Sequence, residues 1–234
     1  MKQLSDADNK KHKDSKYSEN DSVTFSRNLS SKVDLQGWRN MLLHTYKNSN
    51  INSSIKFCDF GSGLGDKAYL LSTLVETKEA FCVDYSSVAI QKSKEFIKKD
   101  NFNFVINDAS KSTEFISKES LDLGLMFGFL HEVSNVRNML KSVYPIFKKT
   151  GLLIISDNNL NFDYKALRKN LIESGYIFKI YKVKKFILTF NLGNFMFINY
   201  KKHPNRTDKL LAVCSINSDN DINSFLKSLK RAYS

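Results

Sequence analysis

The chain has 234 residues and a net charge of +12, long enough for one sizeable core and short for two, so a single domain with a polar tail is expected. No stretch approaches the ~20 apolar residues of a membrane span, and the polar start lacks the apolar run of a secretory signal, so a cytoplasmic protein is the expectation. Cys58, Cys82 and Cys214 each lie in an apolar run, and their spacings fit neither a zinc cluster nor a disulfide framework, which leaves them as reduced core residues.

Residues 1–22 are almost wholly polar and cannot bury enough apolar surface to offset ordering entropy, so they are expected to be disordered; residues 23–234 form the domain. Val33, Leu35, Trp38, Met41, Leu42 and Tyr46 recur at near-helical spacing and predict one or two helices, with Trp38 packing inward. An apolar run, Ile55 to Phe60, feeds into Asp59-Phe60-Gly61-Ser62-Gly63-Leu64-Gly65, with a helix opening near Asp66. Glycine reaches backbone angles closed to other residues and lets the main chain approach a ligand closely. Two readings are open here, a nucleotide cradle and a tight turn that needs glycine only for packing. The dinucleotide fingerprint is excluded, because it requires a further glycine where Asp66 stands.

Ala80-Phe81-Cys82-Val83-Asp84 reads as a second strand ending in a carboxylate that could accept from two adjacent ribose hydroxyls, or cap the helix beginning near Ser86. A third strand, Phe102 to Ile106, ends at Asn107-Asp108-Ala109, where turn chemistry alone also favours Asn-Asp. Leu121 to Phe127 reads as a fourth strand, followed by Gly128-Phe129-Leu130-His131-Glu132-Val133. Val136, Met139, Leu140, Val143 and Phe147 give the next helix one apolar stripe, but Pro145 should kink or end it near Tyr144. Gly151 to Asp157 supplies a fifth strand, and Tyr164 to Glu173 a helix closed by Gly175. Phe178 to Leu188 and Leu210 to Ile216 read as two long strands. The apolar connection between them, Thr189 to Arg206, reads as a lid walling an acceptor site or as a further strand or helix.

In unbroken order, the Asp-headed glycine triplet, the Asp84 strand tip, Asn107-Asp108-Ala109 and Leu130-His131-Glu132-Val133 resemble the class I S-adenosylmethionine-dependent methyltransferases. The likeness covers about residues 55–160 and is closest to the small-molecule branch with a Leu-His-His-Val segment. It implies an α/β fold: a doubly wound, mostly parallel seven-stranded sheet with helices on both faces and an antiparallel C-terminal hairpin. It implies S-adenosylmethionine as cofactor and no metal. It places Asp59, Gly61, Ser62, Gly63 and Gly65 around the amino-acid and ribose parts, Asp84 and Tyr85 at the ribose, Asp108 and Ala109 at the adenine, and Phe127 at the same edge. The chain departs from the family in reading Lys148-Lys149-Thr150-Gly151 where members usually read Lys-Pro-Gly-Gly.

Methyl transfer from a sulfonium is an in-line displacement, so the protein must mainly align acceptor, methyl and sulfur. His131, after the fourth strand at the carboxyl edge of the sheet, is the candidate base or acceptor-positioning group; His12, His44 and His203 gain no role. The leading acceptor is a small molecule, aromatic or lipophilic. RNA or another nucleic acid is the alternative, because Lys179, Lys182, Lys184 and Lys185 interleave with Ile180, Tyr181 and Val183 in a basic C-terminal region, residues 161–234, although a solvated edge strand guarded by lysines against aggregation would read the same. Phe127-Gly128-Phe129-Leu130, where an Asn-Pro-Pro-Tyr motif would stand, counts against adenine, cytosine and glutamine amide methylation. A non-catalytic module is a third reading, opposed by the intact set Gly61, Gly63, Gly65 and Asp84.

Overall fold

A computed structural model describes residues 54–158, 164–183, 187–191, 194–198 and 209–215, together with Asp14 and Tyr17. The helices expected between Val33 and Tyr46 lie outside the described residues. The described elements run β1 (Ser54–Phe60), α1 (Asp66–Leu74), β2 (Glu76–Asp84), α2 (Ser87–Phe96), β3 (Phe102–Ile106), β4 (Leu121–Phe127), α3 (Val136–Val143), β5 (Phe147–Asn158), α4 (Tyr164–Glu173), β6 (Ile177–Val183), β7 (Ile187–Asn191), β8 (Asn194–Ile198) and β9 (Lys209–Ser215). Short 3-10 turns follow β3, β4 and α3 at Ala109–Glu114, Leu130–Glu132 and Tyr144–Ile146.

The strand order is β3-β2-β1-β4-β5-β9-β6. The first five are mutually parallel, so their carboxyl ends share one edge, whereas β9 runs antiparallel to both β5 and β6. Central parallel strands are covered on both faces and therefore read as continuous apolar runs; Leu121 to Met126 of β4 are all buried. Successive residues still alternate in what they pack against. Phe57, Leu125 and Ile154 join Ala68 and Leu71 of α1 and Ile90 of α2, while Cys58, Met126 and Ile155 join Leu140 of α3 and Leu167 of α4 on the other face. Each of the larger of these side chains, the Leu, Ile, Phe and Met, contributes about 1.5–3 kcal/mol by leaving water.

Local chemistry sets the element ends. Ser86 caps α2 by accepting from Ala89 N–H, and Asn135 caps α3 by accepting from Asn138 N–H. Pro145 ends α3 as expected: the helix stops at Val143 and a 3-10 turn carries the proline in its first turn. Phe147, expected on the α3 stripe, is instead the first residue of β5, which begins earlier than Gly151. The single strand expected over Phe178 to Leu188 is two, β6 and β7, and β7 pairs with β8 in a separate two-stranded antiparallel sheet. The Thr189 to Arg206 segment thus contains strand structure over residues 189–191 and 194–198; residues 199–206 lie outside the described residues.

Candidate active site

The sheet order reverses between β1 and β4, and a crevice opens at the carboxyl ends of strands at such a switch point. The glycine loop that leaves β1 borders it. Gly61 and Ser62 N–H both donate to the Val83 carbonyl, at 2.8 and 3.0 Å, which holds the loop against the tip of β2. Gly61 has φ of 70°, and a Cβ there would overlap the Phe129 ring. Gly65, φ 75°, is the left-handed N-cap of α1, and a Cβ on it would run into Ser93 of α2 and Ile97 just after it. Packing therefore requires glycine at both Gly61 and Gly65, while Gly61 and Gly63 also border the crevice.

Asp84 joins the loop to the next helix. Its Oδ2 accepts from Gly63 N–H at 2.8 Å and its Oδ1 from Ser86 N–H at 2.9 Å. A carboxylate oxygen can accept more than one hydrogen bond. Asp84 thus ties down the strand-to-helix turn and lines the crevice, while the cap of α2 is Ser86 and not, as the alternative expectation had it, Asp84.

A cavity of about 580 Å³ occupies this edge. Asp59, Gly61, Ser62, Gly63, Asp84, Tyr85, Asp108, Ala109 and Phe127 all line it; Gly65 and His131 do not. Asp108 is exposed and caps the 3-10 turn by accepting from Ser110 N–H at 2.8 Å, while Ala109 is buried. Glu132, Val133, Asn135, Asn138 and Met139 line the side nearest α3.

Asp59, 2% exposed, has a buried Oδ2 with no hydrogen-bond partner. Burial pushes its carboxyl up to about 8; the nearby Asp66 and, less strongly, Asp84 raise it further, opposed by Lys67 and the Ala68 N–H. A buried acid with an open oxygen on the cavity wall suits a cationic group of a ligand. Burial likewise pushes the Cys58 and Cys82 thiols well up, so both are inert core residues. The side chain of Cys214 lies outside the described set.

His131 sits in the 3-10 turn after β4. Its Nδ1 is 2.6 Å from Asp157 Oδ1, its backbone N–H donates to Asp157 Oδ2 at 3.1 Å, and its Nε2 is 3.8 Å from Glu132 Oε1. Sequence reading missed Asp157, which lies 26 residues away at the end of β5 and becomes a neighbour only because β4 and β5 pair. It also missed Asp14 and Tyr17, two residues of the polar segment. Asp14 Oδ1 accepts from Ser86 Oγ at 2.7 Å at the start of α2, the Tyr17 carbonyl accepts from Lys92, and Tyr17 lines the cavity beside Gly63. A short polar stretch carries no periodic signal that could have marked them.

Among the described residues no cluster of three or more His, Cys, Asp or Glu side chains could hold a metal ion, and no helix is long and apolar enough to cross a membrane.

The model of a methyltransferase domain family matches residues 51–174. No curated protein matches the sequence. Among solved structures, the chain is similar to the plantazolicin methyltransferase BamL, in complex with a triazolic desmethylPZN analog and SAH. The identity is 14%, over 91% of this chain and 97% of that one, with a TM-score of 0.64. It is also similar to precorrin-6y C5,15-methyltransferase from Geobacter metallireducens GS-15, at 16% identity, 73% and 86% coverage and TM-score 0.55. YcgJ from Bacillus subtilis aligns at 13% identity, 76% and 98% coverage and TM-score 0.54. At these identities the structural likenesses show the fold alone.

Proposed function

The chain belongs to the methyltransferase domain family and is an S-adenosylmethionine-dependent methyltransferase; from that premise we propose that its acceptor is a small molecule, aromatic or lipophilic, methylated at the cavity on the carboxyl edge of β1 and β4. The observation that carries the siting is Asp84, whose carboxylate is knitted to the Gly63 N–H and lines the cavity at the tip of β2, where a carboxylate suits two ribose hydroxyls. Gly61, Ser62 and Gly63 would hold the cofactor against the main chain, with Tyr85 beside Asp84 and with Asp108, Ala109 and Phe127 around the adenine. Asp59, with its open oxygen, would take the amino-acid ammonium. When bound, the cofactor supplies an electrophilic methyl on a sulfonium sulfur.

The residues on the α3 side, Val133, Asn135, Asn138 and Met139, would shape the acceptor end of the cavity, and their mixed apolar and amide character supports a small organic acceptor. That BamL's partner in its structure is a small organic compound agrees with this reading. The antiparallel pairing of β9 with β5 and β6 supports the full seven-stranded family sheet with its hairpin at one edge.

Calorimetry with S-adenosylmethionine and its demethylated product tests the siting: wild type should bind both and Asp84→Ala neither. Wild-type affinity left intact by that substitution would refute it. Electrophoretic mobility with total RNA at two salt concentrations tests the acceptor class, and salt-sensitive binding would replace the small molecule by a nucleic acid.

A further inference from the structure

The turn after β4 carries a bracket that the cofactor site does not use. Asp157 has a side chain with 0% exposure, and each of its oxygens meets His131: Oδ1 the ring at 2.6 Å and Oδ2 the backbone N–H at 3.1 Å. A carboxylate is acceptor-only, so the ring nitrogen facing Oδ1 must carry the proton. That fixes neutral His131 as the Nδ1–H tautomer and leaves Nε2 with its lone pair. The His131 ring is 21% exposed, and its Nε2 lies 3.8 Å from Oε1 of Glu132, a residue that lines the cavity although the ring itself does not. Asp157 from β5 and Glu132 from the turn itself are the charged groups paired with the ring among the described residues.

From this arrangement we propose that Asp157 is a positioning residue that holds His131 as a base behind Glu132, next to the acceptor end of the cavity, and that the acceptor carries a weakly acidic X–H bond, as a phenol or an activated carbon acid does. The proposal rests on the methyltransferase reading and narrows its substrate class. As the X–H proton passes to Nε2, the freed pair of electrons on X forms the X–CH3 bond, and the pair of the broken S–CH3 bond stays on sulfur as a neutral thioether. Wild-type protein would not need such a tethered lone pair for an acceptor whose nucleophilic atom bears no proton.

Asp157→Asn is a sharp test because of geometry. Asparagine offers one oxygen and one NH2. With the oxygen on the His131 backbone N–H, the NH2 faces Nδ1, which must then accept, and the proton moves to Nε2. The opposite orientation sets two N–H donors against each other. Long-range 1H–15N NMR on labelled protein, with His131→Gln assigning the signal, should show the proton on Nδ1 in wild type and on Nε2 in Asp157→Asn. The same ring form in both overturns the positioning role.

The second arm measures methyl transfer to phenol, to acetylacetone and to nicotinamide, whose ring nitrogen bears no proton. Phenol or acetylacetone should be methylated. Asp157→Asn and His131→Gln should each lower kcat by about 100-fold or more, with the cofactor KM unchanged and the double variant no worse than either single one. Turnover of nicotinamide alone, of none of the three, or of the acids without loss in Asp157→Asn overturns the acceptor class. Wild type that gives no heat with S-adenosylmethionine or its demethylated product would instead sink the cofactor siting, while the tautomer measurement would still stand on its own.

Discussion

Asp59→Asn should make the cofactor-free protein more stable while weakening its hold on the cofactor. The wild-type carboxyl, ordinarily near 3.8, is pushed up to about 8 by burial and by the neighbouring Asp66 and Asp84. A carboxyl raised in the folded state contributes stability that is fully present below its unfolded value and is lost as pH rises toward the folded one. Between pH 3.8 and pH 7 each pH unit costs wild type about 1.4 kcal/mol relative to its unfolded chain, about 4 kcal/mol in all. Asparagine removes that titration but brings a buried NH2 that costs about 1–3 kcal/mol if unpaired. The net gain at pH 7 is then about 1–3 kcal/mol, which for a chain of this size raises Tm by roughly 2–10 °C.

At pH 5 the wild-type penalty falls to about 2 kcal/mol, so the two melting curves should converge on acidification. In wild type the cofactor's ammonium should draw the proton off Asp59, so affinity should rise with pH up to about 8. Calorimetry in two buffers of different ionisation enthalpy should then show proton release that is absent from Asp59→Asn. A Tm difference that does not change between pH 5 and pH 8, with no proton released by wild type, would refute the reasoning.

Asp84→Asn keeps one acceptor for the Gly63 or Ser86 N–H and loses the other, so it should cost about 1–3 kcal/mol in denaturant titration and weaken cofactor affinity at least tenfold. Gly65→Ala imposes a left-handed backbone on alanine and drives its methyl into Ser93 and Ile97, so urea denaturation should show a loss of roughly 2–4 kcal/mol. A thiol reagent under native conditions should modify no more than one of the three cysteines, because Cys58 and Cys82 are buried with raised thiols; in denaturant all three should react.

What could be read from the chain was local. The glycine loop, the carboxylate at the tip of β2, the capped start of α2 and the helix stop at Pro145 each depend on a few consecutive residues, whose backbone limits and cap chemistry operate before any strand finds its neighbour. That residues separated by whole crossovers would line one cavity was legible for a related reason: each sits at or just after the carboxyl end of a parallel strand, and parallel strands bring those ends to one edge.

Tertiary structure decided what depends on two distant segments at once. Pairing of β4 with β5 set Asp157 beneath His131, turning a lone histidine into one with a fixed tautomer. Burial of Asp59 beside Asp66 changed an ordinary acid into one titrating near 8, an effect of low dielectric that no residue pattern encodes. Docking of Asp14 and Tyr17 on α2 and the glycine loop came from a stretch with no periodicity to read, because single hydrogen bonds and one aromatic ring packed on the core hold these two residues.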